Sequence, residues 1–438
     1  MAIDGWFGRV SGWRTLVSAL GCCMATLLFV QDLGAEVTTE TYVVSAGESE
    51  RKQTPVSIDI VLPDAFRAAA EAGAPVAIAD DKGNKITGQL SLRGLRSPMM
   101  KLQAGNFHAQ LHFVVPALAK GATATYTATI ASDAAKSEPS FKWTDTAGQY
   151  SELSFGDRPV LRYMYAALDE STKEKRSETF KPYHHLYDPA GKVLLTKGPG
   201  GLFPHHRGMF FGFNRISYGE NKKADTWHCN KGEFQSHEKF LSIEAGPVMG
   251  RHTVEIAWHG QDGAVFAREE REFTVYNVAG GTLVEFASLL KSEVEGEIKL
   301  DGDPQHAGFQ FRATQAVPDK TADKTYYLRP DGKDKPGSFR NWPAQKEHVN
   351  LPWNAVSFVV GEQRYTVCYL DHTSNPKESR FSERNYARFG SYFEYTLDKS
   401  HPLMLSYRIF ATEGELEVPD VERMDQDLVA PPAIKSKS

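Results

Sequence analysis

The run FPHHRGMFFGFN, Phe203 to Asn214, sets two adjacent imidazoles and a guanidinium at the head of an apolar stretch. Imidazole titrates nearest to neutral pH of all side chains and is also a common metal ligand, so it can act as acid, base or donor. Read as a strand, the run alternates between two faces. His205, Arg207, Met209, Phe211 and Phe213 share one face; His206, Gly208, Phe210, Gly212 and Asn214 share the other. The second face has space at both glycines and polar groups at its ends, which suits the flat body and hydroxyl edge of a sugar. Packing room or a bulge is the competing reading of those glycines.

The stretch QHAGFQFR (305–312) repeats the theme, aligning His306, Gly308, Gln310 and Arg312 on one face. Such a row is costly to bury unpaired, so it predicts a site or solvent. DTWHCN (225–230) sets Trp227 beside His228, and LDHTSNP (370–376) places Asp371, His372 and Asn375 where a strand runs into a loop. YARFGSYFEY (386–395) aligns Arg388, Gly390, Tyr392 and Glu394. Nine of the 14 histidines fall between His184 and His306, so the imidazole chemistry is concentrated there. His108, His112, His237, His252, His259, His348 and His401 read as ordinary surface or core residues.

These clusters suggest proton transfer, with His206 and His306 as the expected acid/base pair and His372 and Asp371 as further catalytic candidates. Arg207, Arg312 and Arg388 suit a substrate carboxylate or a developing oxyanion. Asn214, Trp227, His228, Gln310, Asn375, Tyr392 and Glu394 complete the expected substrate contacts. Ordinary glycosidases use two carboxylates; near these clusters only Asp371 and Glu394 qualify, so histidine-centred epimerisation, elimination or hydrolysis is the expected chemistry. A non-enzymatic glycan binder stacking sugars on Phe210, Trp227 and Tyr392 is the alternative. A metal among His205, His206, His228, His306 and His372 is the weaker reading. Neighbours on a straight strand face opposite sides, and no HExxH or CxxC spacing occurs. No metal or other cofactor is assigned.

The elements that must position these residues are strands. VSIDIVLP, PVAIAD, NKITGQLSLRG, FHAQLHFVVP and ATATYTATI alternate with period two and predict an immunoglobulin-like sandwich over residues 36–131, with one short helix after Pro63 stopped by Gly73. A small, polar segment at 132–147 reads as a linker. Residues 148–413 are again strand-like without helical periodicity, which predicts a large antiparallel sandwich of two stacked sheets. The charged tail at 414–438 reads as loosely attached. Ahead of all this, Arg9 and Arg14 precede the apolar run LVSALGCCMATLLFV and then QDLGA, the pattern of a secretory leader cleaved after Ala35. A membrane anchor or a lipid-modified Cys22 is the weaker reading of that run. The net charge of −5 argues against a nucleic-acid partner. The expectation is an exported protein, periplasmic or extracellular, with a sugar or oligosaccharide ligand and no membrane span after the leader. Cys229 and Cys368 would form at most one bridge.

Taken together, KPYHHLYDPAGKVLLT, PHHRGMFFGFN, DTWH, QHAGFQFR, LDHTSNP and YARFGSYF resemble a secreted, planctomycete-rich bacterial family of unknown function that carries the label "methane oxygenase PmoA". The resemblance spans most of residues 150–412. It implies a β-sandwich related to galactose-mutarotase-like supersandwiches and an association with carbohydrate degradation, without an established reaction. By motif it marks His205, His206, Arg207, Asn214, His228, Gln305, His306, Asp371, His372 and Asn375. The oxygenase label names a membrane-embedded protein, and no apolar span follows the leader here.

Overall fold

A computed structural model describes residues 35–133 and 139–437. All but the last residue of the expected leader lies outside the described residues. The described chain is all-β in character, as the alternation predicts, with four antiparallel sheets.

The N-terminal strands pair in one seven-stranded antiparallel sheet. Its order is Arg51–Pro63, Asn106–Leu118, Lys85–Leu92, Pro75–Asp80, Thr123–Ala131, Val37–Ser45 and finally Ala433–Ser436. The helix expected after Pro63 forms as a 3-10 turn Asp64–Phe66 running into Arg67–Glu71. It buries Phe66, Ala69 and Ala70 and stops at Gly73, whose φ of +65° is easily reached without a Cβ.

The large sandwich follows. One sheet has eight strands in the order Arg380–Arg384, Arg388–Tyr392, Ala307–Arg312, Met209–Phe213, Tyr183–Leu186, Arg158–Met164, Tyr150–Phe155 and Phe141–Thr146. The last of these lies inside the segment read as a linker, so residues 141–146 belong to the sheet. The other large sheet has nine strands and is built around Val265–Val278, Gly281–Ser292, Leu403–Glu413 and Gln363–Asp371. Aromatic side chains from both sheets fill the core, with Phe309 stacked on Phe286 at 4.1 Å and Phe211 edge-on to Trp258. Each such buried ring contributes about 1.5–3 kcal/mol. A four-stranded sheet that includes Arg215–Tyr218 and Ile298–Asp301 flanks the site described below.

The C-terminal tail is not loose. Helix Val418–Val429 buries Val421, Met424 and Leu428, residues spaced three, then four apart on one face. The Glu417 N–H donates to Asp420 Oδ2 at its start. Its Asp427 accepts from Arg51 Nη1 at 2.9 Å and from Thr54 Oγ1 at 2.9 Å, and Ala433–Ser436 then adds a strand beside Val37–Ser45. The surrounding charges masked an amphipathic stripe in the sequence. Cys229 and Cys368 are both buried and free, so no bridge forms between them.

Candidate active site of clustered histidines

The strand expected from Phe203 begins only at Met209. From there the alternation holds. Met209, Phe211 and Phe213 enter the sandwich core, while Phe210 packs with Trp227 and Tyr183 on the opposite face. Before Met209 the chain is a loop. Gly208 has a φ of +39°, and a Cβ there would lie 2.1 Å from the His184 carbonyl oxygen. A Cβ on Gly212 would fall 2.7 Å from the Phe210 ring. Both glycines therefore provide packing room and do not form a floor for a sugar.

Because His205 and His206 sit in a loop, strand alternation does not separate them. Their ring centroids are 4.5 Å apart. His228 lies 4.5 Å from His205 and 4.7 Å from His306, and His206 stacks on His306 at 5.2 Å. Nitrogen atoms of His205, His206 and His306 all lie within 4.8 Å of one another. Trp227 stands edge-on to His206 at 5.7 Å.

Two local motifs of similar design hold His228 and His306. In Asp225-Thr226-Trp227-His228, Asp225 Oδ1 accepts the N–H groups of Trp227 (3.0 Å) and His228 (2.8 Å), and Oδ2 accepts His228 Nδ1 at 2.8 Å. In Asp303-Pro304-Gln305-His306, Asp303 Oδ1 accepts the Gln305 N–H at 2.9 Å and His306 Nδ1 at 2.9 Å. Each carboxylate closes its own turn and orients the imidazole three residues on. Asn214 Nδ2 donates to the other Asp303 oxygen at 2.7 Å, tying this turn to the end of the Met209–Phe213 strand. Asp225 and Asp303 were missed in the sequence; the D-x-x-H spacing was a partial signal, since it occurs a third time at the exposed Asp398 to His401 turn.

Burial and charge set the protonation states. Burial, then His228 and Lys181, pushes His205 down to about 2. Burial followed by the Arg388 charge holds His206 well below the imidazole range. Burial alone would raise the Asp303 carboxyl, but the hydrogen bond and charge of His306, with the Asn214 and Gln305 donors, hold it below its usual range. Lys181, lowered by burial, donates to the Trp227 carbonyl and sits 3.8 Å over the Phe210 ring. At neutral pH the two loop imidazoles are thus uncharged. His205 Nε2 is buried without a hydrogen-bond partner.

The other sequence-predicted residues divide. Gln310 bridges locally, donating to the carbonyls of Pro304 and Ala307 and accepting from Arg388 Nη1 at 3.1 Å, so both stand behind His206. Arg312 donates to the carbonyls of Ala313 and Tyr386 and lies 4.5 Å over the Tyr386 ring. Arg207 turns away to donate to the carbonyls of Ser177, Glu178 and Pro204, pinning the helix Lys173–Thr179. Tyr392 and Glu394 are linked through Arg380 at the rim. Asp371 and Asn375 are elsewhere. The buried Asp371 carboxylate accepts from Asn375 Nδ2 and Ser379 Oγ, and Asn375 also grips the Ser406 backbone, so the pair locks a loop. His372 binds Ser374 and lies 3.2 Å from Arg96, lining a separate cavity near the N-terminal sheet. Beside the histidine cluster runs a groove of about 600 Å³, lined in part by Asn214, Asp225, Glu233, Asp301, Glu394 and Tyr395.

No curated protein matches the chain. Among solved structures, a protein in the glycosyl hydrolase family 38 from Enterococcus faecalis is similar at a TM-score of 0.43 and 8% identity, over 91% of this chain and 47% of that one. The chain thus spans about half the length of that protein. A family model matches residues 150–426, the stretch that carries the D-x-x-H motifs and the His-His loop, and the chain belongs to that Family of unknown function (DUF6807).

Proposed function

We propose that the histidine cluster is the reaction centre of an exported, carbohydrate-directed enzyme that works by proton transfer. One observation carries this reading: two Asp–His units, Asp225–His228 and Asp303–His306, converge from separate loops on one partly open spot, their imidazoles 4.7 Å apart. A carboxylate on Nδ1 fixes the tautomer and presents Nε2 to a substrate, which is what a general acid or base requires. The side chains of His228 and His306 are 22% and 23% exposed, so they meet the ligand, with the neutral His206 behind them. The neighbouring groove, rich in carboxylate and amide groups, suits a polyhydroxylated ligand. The sugar class rests on the motif resemblance as well as on that groove. Epimerisation, elimination and hydrolysis all fit.

A glycan-binding role without catalysis is less well supported. Trp227, Phe210 and Tyr392, the expected stacking faces, are only 1–2% exposed. Incubation with a panel of oligosaccharides and their keto derivatives, read by NMR, tests the proposal. New product that disappears in His306→Ala supports it. Saturable binding with no product across the panel favours the lectin reading and defeats this one.

A further inference from the structure

The loop that ends the Met209–Phe213 strand early also gathers donor atoms. Nitrogens of His205, His206 and His306 lie within 4.8 Å of one another, a separation that a single ion can span once it draws the rings in. The donor set is all imidazole nitrogen. That composition suits zinc, copper, nickel, cobalt or ferrous iron, whereas magnesium and calcium require oxygen ligands.

Two further features point to a ligand in the gap. His205 Nε2 is buried with no hydrogen-bond partner, an arrangement that costs stability unless something fills it. His306 Nδ1 is engaged by Asp303, which directs the Nε2 lone pair inward and reproduces the carboxylate–histidine–metal pattern. Lys181 does not fill the gap, since its ammonium is turned onto the Trp227 carbonyl and the Phe210 ring. We propose that His205, His206 and His306 form a three-imidazole site for a first-row divalent transition ion, zinc being the representative, with a coordination position open beside His228. Three imidazoles with one open position is an arrangement that supports catalysis, in which the ion polarises a bound oxygen or activates water. With the ion bound, His306 serves as a ligand in place of a proton-transfer role, and His228, held by Asp225 and outside the donor set, alone remains the proton-transfer group next to that position. The inference rests on the reading of this cleft as a reaction centre and specifies what that centre holds.

The test uses the full chain, stripped with chelator and then dialysed against zinc chloride or cobalt chloride. Metal content is read by mass spectrometry and cobalt coordination by visible absorption. The expected result is about one equivalent retained, with the intense bands of four-coordinate cobalt. His205→Ala, His206→Ala and His306→Ala each lose the ion. Asp303→Asn, which keeps the shape of the turn, weakens zinc affinity by about 10- to 100-fold, and His228→Ala retains the ion. Circular dichroism and thermal melting confirm that each variant is folded. Retention of less than about a tenth of an equivalent overturns the inference, as does equal retention in the three ligand variants. Loss in His228→Ala to the same extent means a closed four-imidazole site and overturns the open position. The two proposals fail separately: a metal-loaded protein with no sugar product defeats only the proposed reaction, and a protein that turns over sugar yet retains less than about a tenth of an equivalent defeats only this site.

Discussion

Replacing Asp303 by asparagine probes the D-x-x-H design at its most connected point. The carboxylate accepts from three donors: Asn214 Nδ2 at 2.7 Å, His306 Nδ1 at 2.9 Å and the Gln305 N–H at 2.9 Å. An amide keeps one acceptor oxygen, so its NH2 must face at least one of those donors. A hydrogen bond to a charged group is worth about 1.5–3 kcal/mol. The Asp303 side chain is 36% exposed, so solvent screening brings the expected loss to about 1–2 kcal/mol. The loss also depends on pH. Burial would raise the Asp303 carboxyl, but its hydrogen bonds outweigh burial and set it below its usual range. A depressed carboxyl contributes stability that is present above its unfolded value of about 4 and disappears as pH falls through the lower folded value. Urea unfolding of both proteins at several pH values should therefore show the full gap at neutral pH and a narrowing one below about pH 4. In parallel, imidazole nitrogen NMR should show His306 losing its preference for the Nδ1–H tautomer. An unchanged unfolding midpoint at neutral pH, or a tautomer unaffected by the substitution, refutes the reasoning.

Asp427→Ala breaks the buried pair with Arg51 and should cost about 3–5 kcal/mol in urea unfolding, since it strands a guanidinium that is 3% exposed. Leu428→Ala should cost about 2–5 kcal/mol by the same assay, because the C-terminal helix is part of the core. A loss below about 0.5 kcal/mol in either would mean that the tail is as loose as its composition suggests. Burial pushes the Cys229 thiol up to about 12 and raises that of Cys368 as well, so neither should react with a thiol reagent in the folded protein. Peptide mass spectrometry should find both labelled only after unfolding, and labelling in the native state contradicts their burial.

Period-two alternation was legible in the sequence because a strand needs only one buried face to display it. It gave the all-β class, and it sorted Met209, Phe211 and Phe213 from Phe210 correctly. The same rule failed at His205 and His206, where Pro204 and the left-handed Gly208 hold the chain out of the strand. Nothing in alternation reports where a strand starts, and that boundary decides whether two imidazoles converge. Asp371, His372 and Asn375 lie at a strand end away from the histidine cluster, where Asp371 and Asn375 hold the loop that follows. The C-terminal helix was missed because its three buried apolar positions lie among five acidic and basic residues in VPDVERMDQDLV. Sequence spacing did hold Asp225 and Asp303, in two of the three copies of D-x-x-H; the third, Asp398 to His401, makes the same turn with its imidazole in solvent.

The central claim is that the chemistry lies at the His205–His206–His228–His306 cluster and not at the His372 cavity. On whichever sugar yields product, the decisive measurement is kcat/KM for His306→Ala beside His372→Ala. The account predicts a fall of about 10²- to 10⁴-fold for the first and no change for the second. An unchanged value for His306→Ala, or a collapse in His372→Ala alone, contradicts it.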